Sequence, residues 1–178
     1  LRVIDSEISV RGVVRRVVSV QDCLEEMRGS SIIISCADDP STDAVNRIVT
    51  DIGFELNVPH ILCGGYDGHL SFIGPTVIPG KSACWFCYEY ALDKQLHRAE
   101  YQQLAVTNAH SKGGNIAAIS AITANYHVLD ALKVITGFLK PTMTNKAAEL
   151  DFRTYDINFR KFRKRHTCPR CGQKSGES

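Results

Sequence analysis

Four of the seven cysteines form two Cys-x-x-Cys pairs, and their spacing favours a metal site. The members of the two pairs are Cys84, Cys87, Cys168 and Cys171. A Cys-x-x-Cys turn presents two thiolates at adjacent corners of a tetrahedron, so two such turns supply the four sulfurs that Zn²⁺ prefers. Pro169 and Gly172 favour this turn in the second pair. The sequence therefore predicts one structural zinc ion, which would fasten the tail, residues 150–178, to the body.

Other interpretations of the pairs remain open, namely two structural disulfides, a redox-active dithiol, or chance. Disulfides are disfavoured because no secretory signal opens the chain, and a thioredoxin-like dithiol needs one pair rather than two. Four thiolates complete the coordination shell, so the metal would hold the fold and perform no chemistry. The remaining cysteines, Cys23, Cys36 and Cys63, lie in or beside apolar runs and are predicted to be small buried hydrophobic residues.

An acidic turn, Asp38-Asp39, directly follows an apolar β-branched run over residues 31–35. Doubly wound sheets bind their ligands at the carboxyl ends of such strands. A carboxylate there can hold Mg²⁺, which takes one or two carboxylates and shares the rest of its shell with water and phosphate oxygens. Alternatively, one of these aspartates caps the helix that follows. The residues alone leave both interpretations open.

The elements that would position these residues follow from hydrophobic periodicity. Helices are predicted over residues 42–56 and 115–136, and strands over residues 31–35, 60–63, 150–157 and 159–166. The first strand, the first helix and the second strand form a βαβ unit. Alternation after Gly68 predicts antiparallel strands. The predicted fold class is therefore α/β, a Rossmann-like mixed sheet flanked by helices.

Composition and charge narrow the classes of function. The 178 residues are 44% hydrophobic and 22% charged, as in a globular protein, and the net charge of +2 is too small for a chain built mainly to bind nucleic acid or an anionic membrane. No run approaches the ~20 apolar residues of a membrane helix. We expect a cytoplasmic protein without a membrane partner, a single domain over residues 1–178, and a mobile, partly helical crossover over residues 88–112.

The basic run over residues 160–165 invites a nucleic-acid interpretation, since the last 28 residues hold eight Lys and Arg against three Asp and Glu. Cations that alternate with Phe159 and Phe162 are, however, typical of an exposed sheet edge that resists aggregation. No recognition helix or stacking platform accompanies them. The edge-strand interpretation is therefore preferred, and nucleic acid is not an expected partner.

Motifs along nearly the whole chain carry a family resemblance. They are residues 31–40, Asn46, residues 57–61, Gly65, Gly68, Gly74-Pro75, Pro79-Gly80, Cys84-Trp85-Phe86-Cys87, Gly114-Asn115-Ile116, residues 131–137 and residues 168–172. Together they resemble the ThiF/MoeB/HesA family, the bacterial relatives of ubiquitin-activating enzymes. The Ala37-Asp38-x-Pro40 turn and the run over residues 74–81 look most like the branch that adenylates a short peptide during microcin maturation.

The resemblance implies an adenylyltransferase that uses ATP and Mg²⁺. Such an enzyme converts the C-terminal carboxylate of a ubiquitin-like protein or peptide into an acyl-adenylate and releases pyrophosphate. It implies that Asp38 engages Mg-ATP, that Asp39 stands where the family has asparagine, and that the paired cysteines match the family's structural zinc ligands. It also implies a homodimer, since family members are commonly homodimers.

Two departures from the family pattern limit what these residues would do alone. The family begins with a Gly-rich nucleotide-binding half, which residues 1–30 do not supply, so we expect the C-terminal portion of a larger domain that binds ATP weakly by itself. Residues 88–167 contain no cysteine, so the crossover would form no thioester. The alternative function is a non-catalytic, zinc-stabilised scaffold of the same fold that docks a peptide for a partner enzyme.

Overall fold

A computed structural model of the chain describes residues 5–98 and 116–172. Within these residues the chain forms a short 3-10 helix, three α-helices and seven strands. The helices are α1 (Thr42–Glu55), α2 (Trp85–Arg98) and α3 (Ala117–Thr136). The strands are β1 (Ile33–Ile34), β2 (His60–Ile61), β3 (Tyr66–Asp67), β4 (Leu70–Ile73), β5 (Thr76–Val77), β6 (Lys146–Asp151) and β7 (Ile157–Lys161). None of the described helices is long and apolar enough to cross a bilayer.

The first sheet has three strands in the order β1-β2-β5. Strand β1 pairs with β2 in parallel, with Ile34 opposite Ile61, and β5 pairs with β2 in the antiparallel direction. Helix α1 connects β1 to β2, so these elements form the βαβ unit that the sequence predicts. The mixed α/β fold class is thus confirmed.

Helix α1 begins at a serine cap and packs on the sheet through a glycine. The Ser41 hydroxyl accepts a hydrogen bond from the Ala44 N–H at 3.2 Å, which satisfies one of the free donors of the first turn. On the buried face, an added Cβ at Gly53 would lie 2.1 Å from Nδ1 of His60. A glycine is therefore required where the helix crosses β2.

The His60 side chain is fully buried beneath this glycine and is held neutral. Its Nδ1–H donates to the Val58 carbonyl at 3.0 Å, while its buried Nε2 has no partner among the described residues. Burial lowers the pKa of His60 to about 4, because a charged ring would lose its hydration there.

We expect the fold to lose stability as the pH falls from 6.5 to about 4. In this window His60 takes up a proton in the unfolded chain but not in the folded one, so acid favours unfolding; the loss reaches about 3 kcal/mol. Chemical denaturation at several pH values measures it. His60→Gln, whose amide can still donate to Val58, should flatten this dependence, whereas replacing the exposed His166 with Gln should not. An unchanged slope in His60→Gln would contradict the assignment.

The second sheet is antiparallel, with the strand order β3-β4-β6-β7. The predicted strands over residues 150–157 and 159–166 were wrong in their bounds, because β6 begins at Lys146 and β7 ends at Lys161. Ala147 and Ala148 have little intrinsic strand preference, but Ala148 pairs with Ile73 on β4 and Ala147 pairs with Arg160 on β7, and both are buried, so tertiary context decides. Tyr155, with φ 62°, turns the chain between the two strands. Within the described residues β7 is an edge strand and largely exposed, as the alternating cations predict.

The predicted crossover over residues 88–112 is only partly described. Helix α2 begins at Trp85 and continues to Arg98, so the first part of this segment is a regular helix. Residues 99–112 lie outside the described residues. Helix α3 agrees with the prediction and ends at Gly137, whose φ of 64° is the left-handed conformation that glycine adopts readily at a helix end.

Asp130, on α3, joins this helix to the strands. Its carboxylate is buried and accepts hydrogen bonds from Thr76 Oγ1 at 2.8 Å, the Thr142 N–H at 2.6 Å and the Met143 N–H at 2.8 Å, and it pairs with Lys133 Nζ at 3.3 Å. Burial alone would raise the pKa of this carboxyl, but the backbone donors and hydroxyl lower it below its usual value. Asp130 therefore stays ionised in the core.

Asp130→Asn is expected to lower the free energy of unfolding by about 2 to 4 kcal/mol, because an amide cannot accept from all these donors and leaves some of them unpaired in the core. Urea denaturation measures the change. Asp156→Asn, a matched change in an exposed turn, should stay within about 0.5 kcal/mol of the parent. Equal effects from the two substitutions would contradict the role of Asp130.

Candidate functional site

The structure brings the four paired cysteines together. Their sulfurs all lie within 4.8 Å of one another, with Cys84 Sγ 3.5 Å from Cys168 Sγ and Cys87 Sγ 3.4 Å from Cys171 Sγ. All four thiols are free and buried. We call this group the four-cysteine cluster. A tetrahedral Zn²⁺ with Zn–S bonds of about 2.3 Å holds its sulfurs about 3.8 Å apart. The donor set therefore has both the chemistry and the spacing to hold a metal ion.

Two tight turns shape the four-cysteine cluster. In the second turn the Gly172 N–H donates to the Cys168 carbonyl at 3.0 Å, and an added Cβ at Gly172 would lie 2.4 Å from the His166 carbonyl oxygen. In the first turn the Cys87 N–H donates to the Cys84 carbonyl at 3.0 Å. The backbone also supports the charge of the sulfurs, since the Arg165 N–H donates to Cys87 Sγ at 3.4 Å. A thiolate cluster needs such donors.

The sulfurs affect one another's protonation. Donation from the Cys171 and Cys84 thiols holds the pKa of Cys87 far below its usual range, and the same contacts raise the pKa of Cys84 well above it. These contacts favour the charged form at Cys87 and disfavour it at Cys84. A metal cation placed among the sulfurs would favour the thiolate form of all four.

The four-cysteine cluster lies on the edge of the first sheet opposite to the acidic turn. Strand β5 is antiparallel to β2, with Val77 opposite His60, so the chain leaves β5 beside the beginning of β2 and reaches Cys84 from there. The acidic turn instead follows the carboxyl end of β1. This separation agrees with a metal that holds the fold and takes no part in ligand chemistry.

At the opposite edge, Asp38 is exposed and has no hydrogen bond or ion pair with the residues that the structure describes. Ser41 caps the following helix, so the interpretation of Asp38 or Asp39 as the cap is wrong. Asp39 is also exposed, but its carboxylate pairs with Arg16 Nε at 3.3 Å. Of the two aspartates, Asp38 is therefore the one available to a ligand.

The loop after β2 lies beside this turn, and we refer to residues 36–39 and 63–65 together as the carboxyl edge. Its backbone is closely packed, because an added Cβ at Gly64 would lie 2.2 Å from the Phe72 Cβ. Asn46, buried on α1, donates from Nδ2 to the Cys63 carbonyl at 2.9 Å and fixes the loop against the helix. The carboxyl edge thus combines a free carboxylate with a firmly held loop.

Cys36 and Cys63 were not recognised as site residues in the sequence. Cys36 was predicted to be buried but is exposed, because it lies just beyond β1, where the helix no longer covers the chain. The Cys63 thiol donates a hydrogen bond to Cys36, which lowers the pKa of Cys36 to about 6 and raises the pKa of Cys63 above its usual range. Cys36 follows β1 and Cys63 follows β2 of the same βαβ unit, and these equivalent positions were the sequence signal from which their proximity could have been predicted.

A concave surface lies beside the tail. It is a groove of about 960 Å³ that contains five lysines and an arginine, and none of its lining residues carries a carboxylate. The cations are Lys81, Lys140, Lys146, Lys161, Arg163 and Lys164. Sequence spacing predicted that the basic run lies on an exposed edge, but it could not show that two other segments of the chain, residues 78–81 and 140–146, form a groove with it.

Comparison with known proteins identifies the family to which this fold belongs. The model of the ThiF family matches residues 1–173. The chain belongs to the ThiF family. Its resemblance to this family in sequence motifs is thereby confirmed. No curated protein matches the chain significantly.

Solved structures similar to this ThiF-family chain include E. coli MccB with ATP, with a TM-score of 0.77, 23% identity, and coverage of 96% of this chain and 48% of MccB. A structure of E. coli MccB without a named ligand gives a TM-score of 0.79, 21% identity, and coverage of 99% and 49%. A heterocyclase in complex with substrate and cofactor gives a TM-score of 0.59, 18% identity, and coverage of 86% and 23%. At identities of 18 to 23%, these similarities show a shared fold only. The chain spans about half the length of MccB.

Proposed function

We propose that this ThiF-family chain is the C-terminal part of an ATP-dependent adenylyltransferase that activates a peptide carboxylate as an acyl-adenylate. The observation that carries the proposal is the free, exposed carboxylate of Asp38 at the carboxyl end of β1, the place where doubly wound sheets bind their ligands. The family assignment supports the reaction class.

The similar structures support a peptide as the substrate of the whole protein. E. coli MccB has been solved with ATP, and also with the peptide MccA together with AMPCPP. A further structure holds N-formylated MccA. We extend the substrate class to the C-terminus of a ubiquitin-like protein, as the wider family resemblance implies.

In this proposal Asp38 holds Mg²⁺ of the bound nucleotide, and Asp39 stays paired with Arg16 at the side of the site. Mg-ATP supplies an electrophilic phosphorus that a carboxylate can attack. The residues of this chain contribute position and charge: Asp38 offers an anionic ligand to the cation, and Asn46 holds the loop of Cys63 through its 2.9 Å hydrogen bond. The other groups that hold phosphate would come from the remainder of the protein.

We further propose that the metal of the four-cysteine cluster is zinc, which attaches the tail over residues 150–178 to α2. The four buried thiols are the donor set that zinc prefers in closed structural sites. The domain over residues 1–178 and the cytoplasmic location remain predictions from sequence.

A homodimer is part of the proposal. Exposed apolar side chains lie along α3, namely Ile122, Val128, Leu129, Leu132 and Ile135. A stripe of exposed apolar side chains on a regular helix indicates that another protein surface packs against it. The molecular mass of the intact protein in solution tests this, and a monomer would count against it.

The test of function is exchange of radiolabelled pyrophosphate into ATP by the intact protein, with candidate peptides that end in a free carboxylate. Exchange that requires the peptide, and disappears when its C-terminus is amidated, supports adenylation. Peptide binding without exchange would favour the docking scaffold instead. Neither exchange nor peptide binding by a folded protein would reject both.

A further inference from the structure

The groove beside the tail, which we call the basic groove, collects positive charge from three separate segments of the chain. Its first wall is formed by residues 78–81, its second by residues 140–146 and its third by residues 161–164. The third wall begins at Lys161, the last residue of β7, whereas the first follows β5 and the second lies between α3 and the start of β6. Protection of the exposed edge of β7 therefore explains the charge of the third wall but not that of the other two.

The six cations of the basic groove form no ion pair with a carboxylate of the described residues. Outside the groove such pairs are common, and Arg160, the neighbour of Lys161 on β7, pairs with Glu149 at 3.4 Å. Within the groove, Lys146 Nζ instead lies 4.8 Å from the ring centroid of Phe159. Unpaired cations that line one concave surface focus a positive potential, which concentrates anions there.

Asn145 joins the three walls of the basic groove. Its Oδ1 accepts a hydrogen bond from the Ala83 N–H at 2.8 Å, and its carbonyl accepts one from the Phe162 N–H at 3.0 Å. The Lys164 Nζ also donates to the Gly80 carbonyl at 3.4 Å, which links the third wall to the first. Because these contacts hold the walls in place before a ligand arrives, binding would order few groups of this chain and cost little conformational entropy.

The volume and the donors of the basic groove favour a chain segment over a single inorganic anion. Its volume of about 960 Å³ lies near the top of the range of about 300 to 1,000 Å³ for ligand pockets. Tight phosphate sites use clustered backbone N–H groups, but here the N–H groups of Ile78, Lys81 and Thr142 already donate within the chain. The lysine and arginine side chains are therefore the groups that would hold an anion.

The lining of the basic groove disfavours nucleic acid and a membrane surface. Bases of a single strand stack on exposed aromatic rings, but Phe162, the aromatic residue of the lining, is 6% exposed and packs on Tyr88 with ring centroids 5.4 Å apart. A bilayer surface does not follow a concave groove. An extended acidic peptide does, because its carboxylates can reach cations on several walls while Ile78 and Pro141 contact its apolar atoms.

We infer that the basic groove binds an extended segment of a partner protein that is rich in glutamate or aspartate. Strand β5 is antiparallel to β2, so its end, where the first wall begins, lies on the edge of the first sheet opposite to the carboxyl edge. The inference therefore concerns a surface away from Asp38 and does not rest on the proposed adenylation.

Fluorescence anisotropy of a labelled, glutamate-rich peptide with an amidated C-terminus tests the inference on the chain purified in the presence of zinc. We expect saturable binding that weakens as salt is added, and binding at least about tenfold weaker when every glutamate is replaced by glutamine. Carbodiimide cross-linking and mass spectrometry should join peptide carboxylates to lysines of the basic groove. Lys81→Gln combined with Arg163→Gln, which neutralises one exposed cation on each of two walls, should weaken binding about fivefold or more.

Arg11→Gln combined with Arg28→Gln is the matched control, because it removes the same net charge at exposed positions outside the basic groove. It should bind the peptide like the parent chain. Equal weakening in the two double variants would overturn the inference, as would cross-links confined to other lysines or no binding by the folded parent chain. Tighter binding of a labelled oligothymidine or of tripolyphosphate than of the peptide would overturn the peptide assignment. Because the probe has no free C-terminal carboxylate and needs no ATP, these readouts remain interpretable if adenylation is absent.

Discussion

Replacing Cys168 with serine is expected to abolish metal binding and to lower the free energy of unfolding by about 5 kcal/mol or more, since structural zinc in small peptides contributes ~10 to 16 kcal/mol in apparent binding. The parent chain should contain one zinc ion, measured by atomic emission. The variant should lose it, with a lower midpoint of chemical denaturation. The reason is geometric, because removal of one sulfur leaves three buried thiols that cannot complete the shell.

The damage should spread beyond the tail. The four cysteines belong to the same hydrophobic core as Trp85, Val77 and Ile33, so loss of the ion disturbs the start of α2 as well. Hydrogen exchange should therefore increase first over residues 162–172 and next at the beginning of α2. The Arg170–Asp51 ion pair is partly exposed and would not hold the tail alone.

Cys36→Ser provides the matched control, because it changes a cysteine to serine at an exposed position outside the four-cysteine cluster. It should keep the zinc ion and the denaturation midpoint. A parent chain that binds no zinc after purification under reducing conditions would reject the metal assignment. A stable, metal-free Cys168→Ser variant would show that packing alone fastens the tail.

The sequence indicated the local elements well where one principle dominates. Apolar spacing and a serine cap define α1, and Gly137 ends α3 where predicted. The strands of the second sheet were harder to predict, because Lys146 and Ala147 join β6 through pairing with β7 and not through their own preference. Boundaries that depend on a distant partner cannot be derived from local pattern.

The same distinction applies to the site. The four-cysteine cluster could be predicted because each Cys-x-x-Cys motif has a known preference for metal, and the fold has only to bring the two motifs together. Asp130 and His127 lie on α3, and neither carries a motif; their contacts with Thr76 and Gly74 exist only once α3 has docked on the strands. The prediction that Cys36 is buried was wrong, because its exposure depends on the residue at which α1 stops covering the chain after β1.

Asp38→Asn is expected to reduce peptide-dependent pyrophosphate exchange by the intact protein about a hundredfold or more, because a neutral amide replaces the only charge that residue 38 can offer to Mg²⁺ in a site built on electrostatic stabilisation. The loss should appear in the maximal rate and in the Mg²⁺ concentration required. Stability should change by no more than about 0.5 kcal/mol, since the Asp38 side chain is exposed and has no partner among the described residues.

The neighbouring Asp39→Asn tests whether charge at the turn matters in general or at Asp38 alone. It removes the same charge one residue away, breaks only the exposed pair with Arg16, and restores the asparagine that the family resemblance implies. We expect it to keep most of the exchange activity. Equal losses in both variants would show that the turn acts through its total charge, and full activity in Asp38→Asn would remove the catalytic proposal, because no other carboxylate of the acidic turn is free to hold the cation.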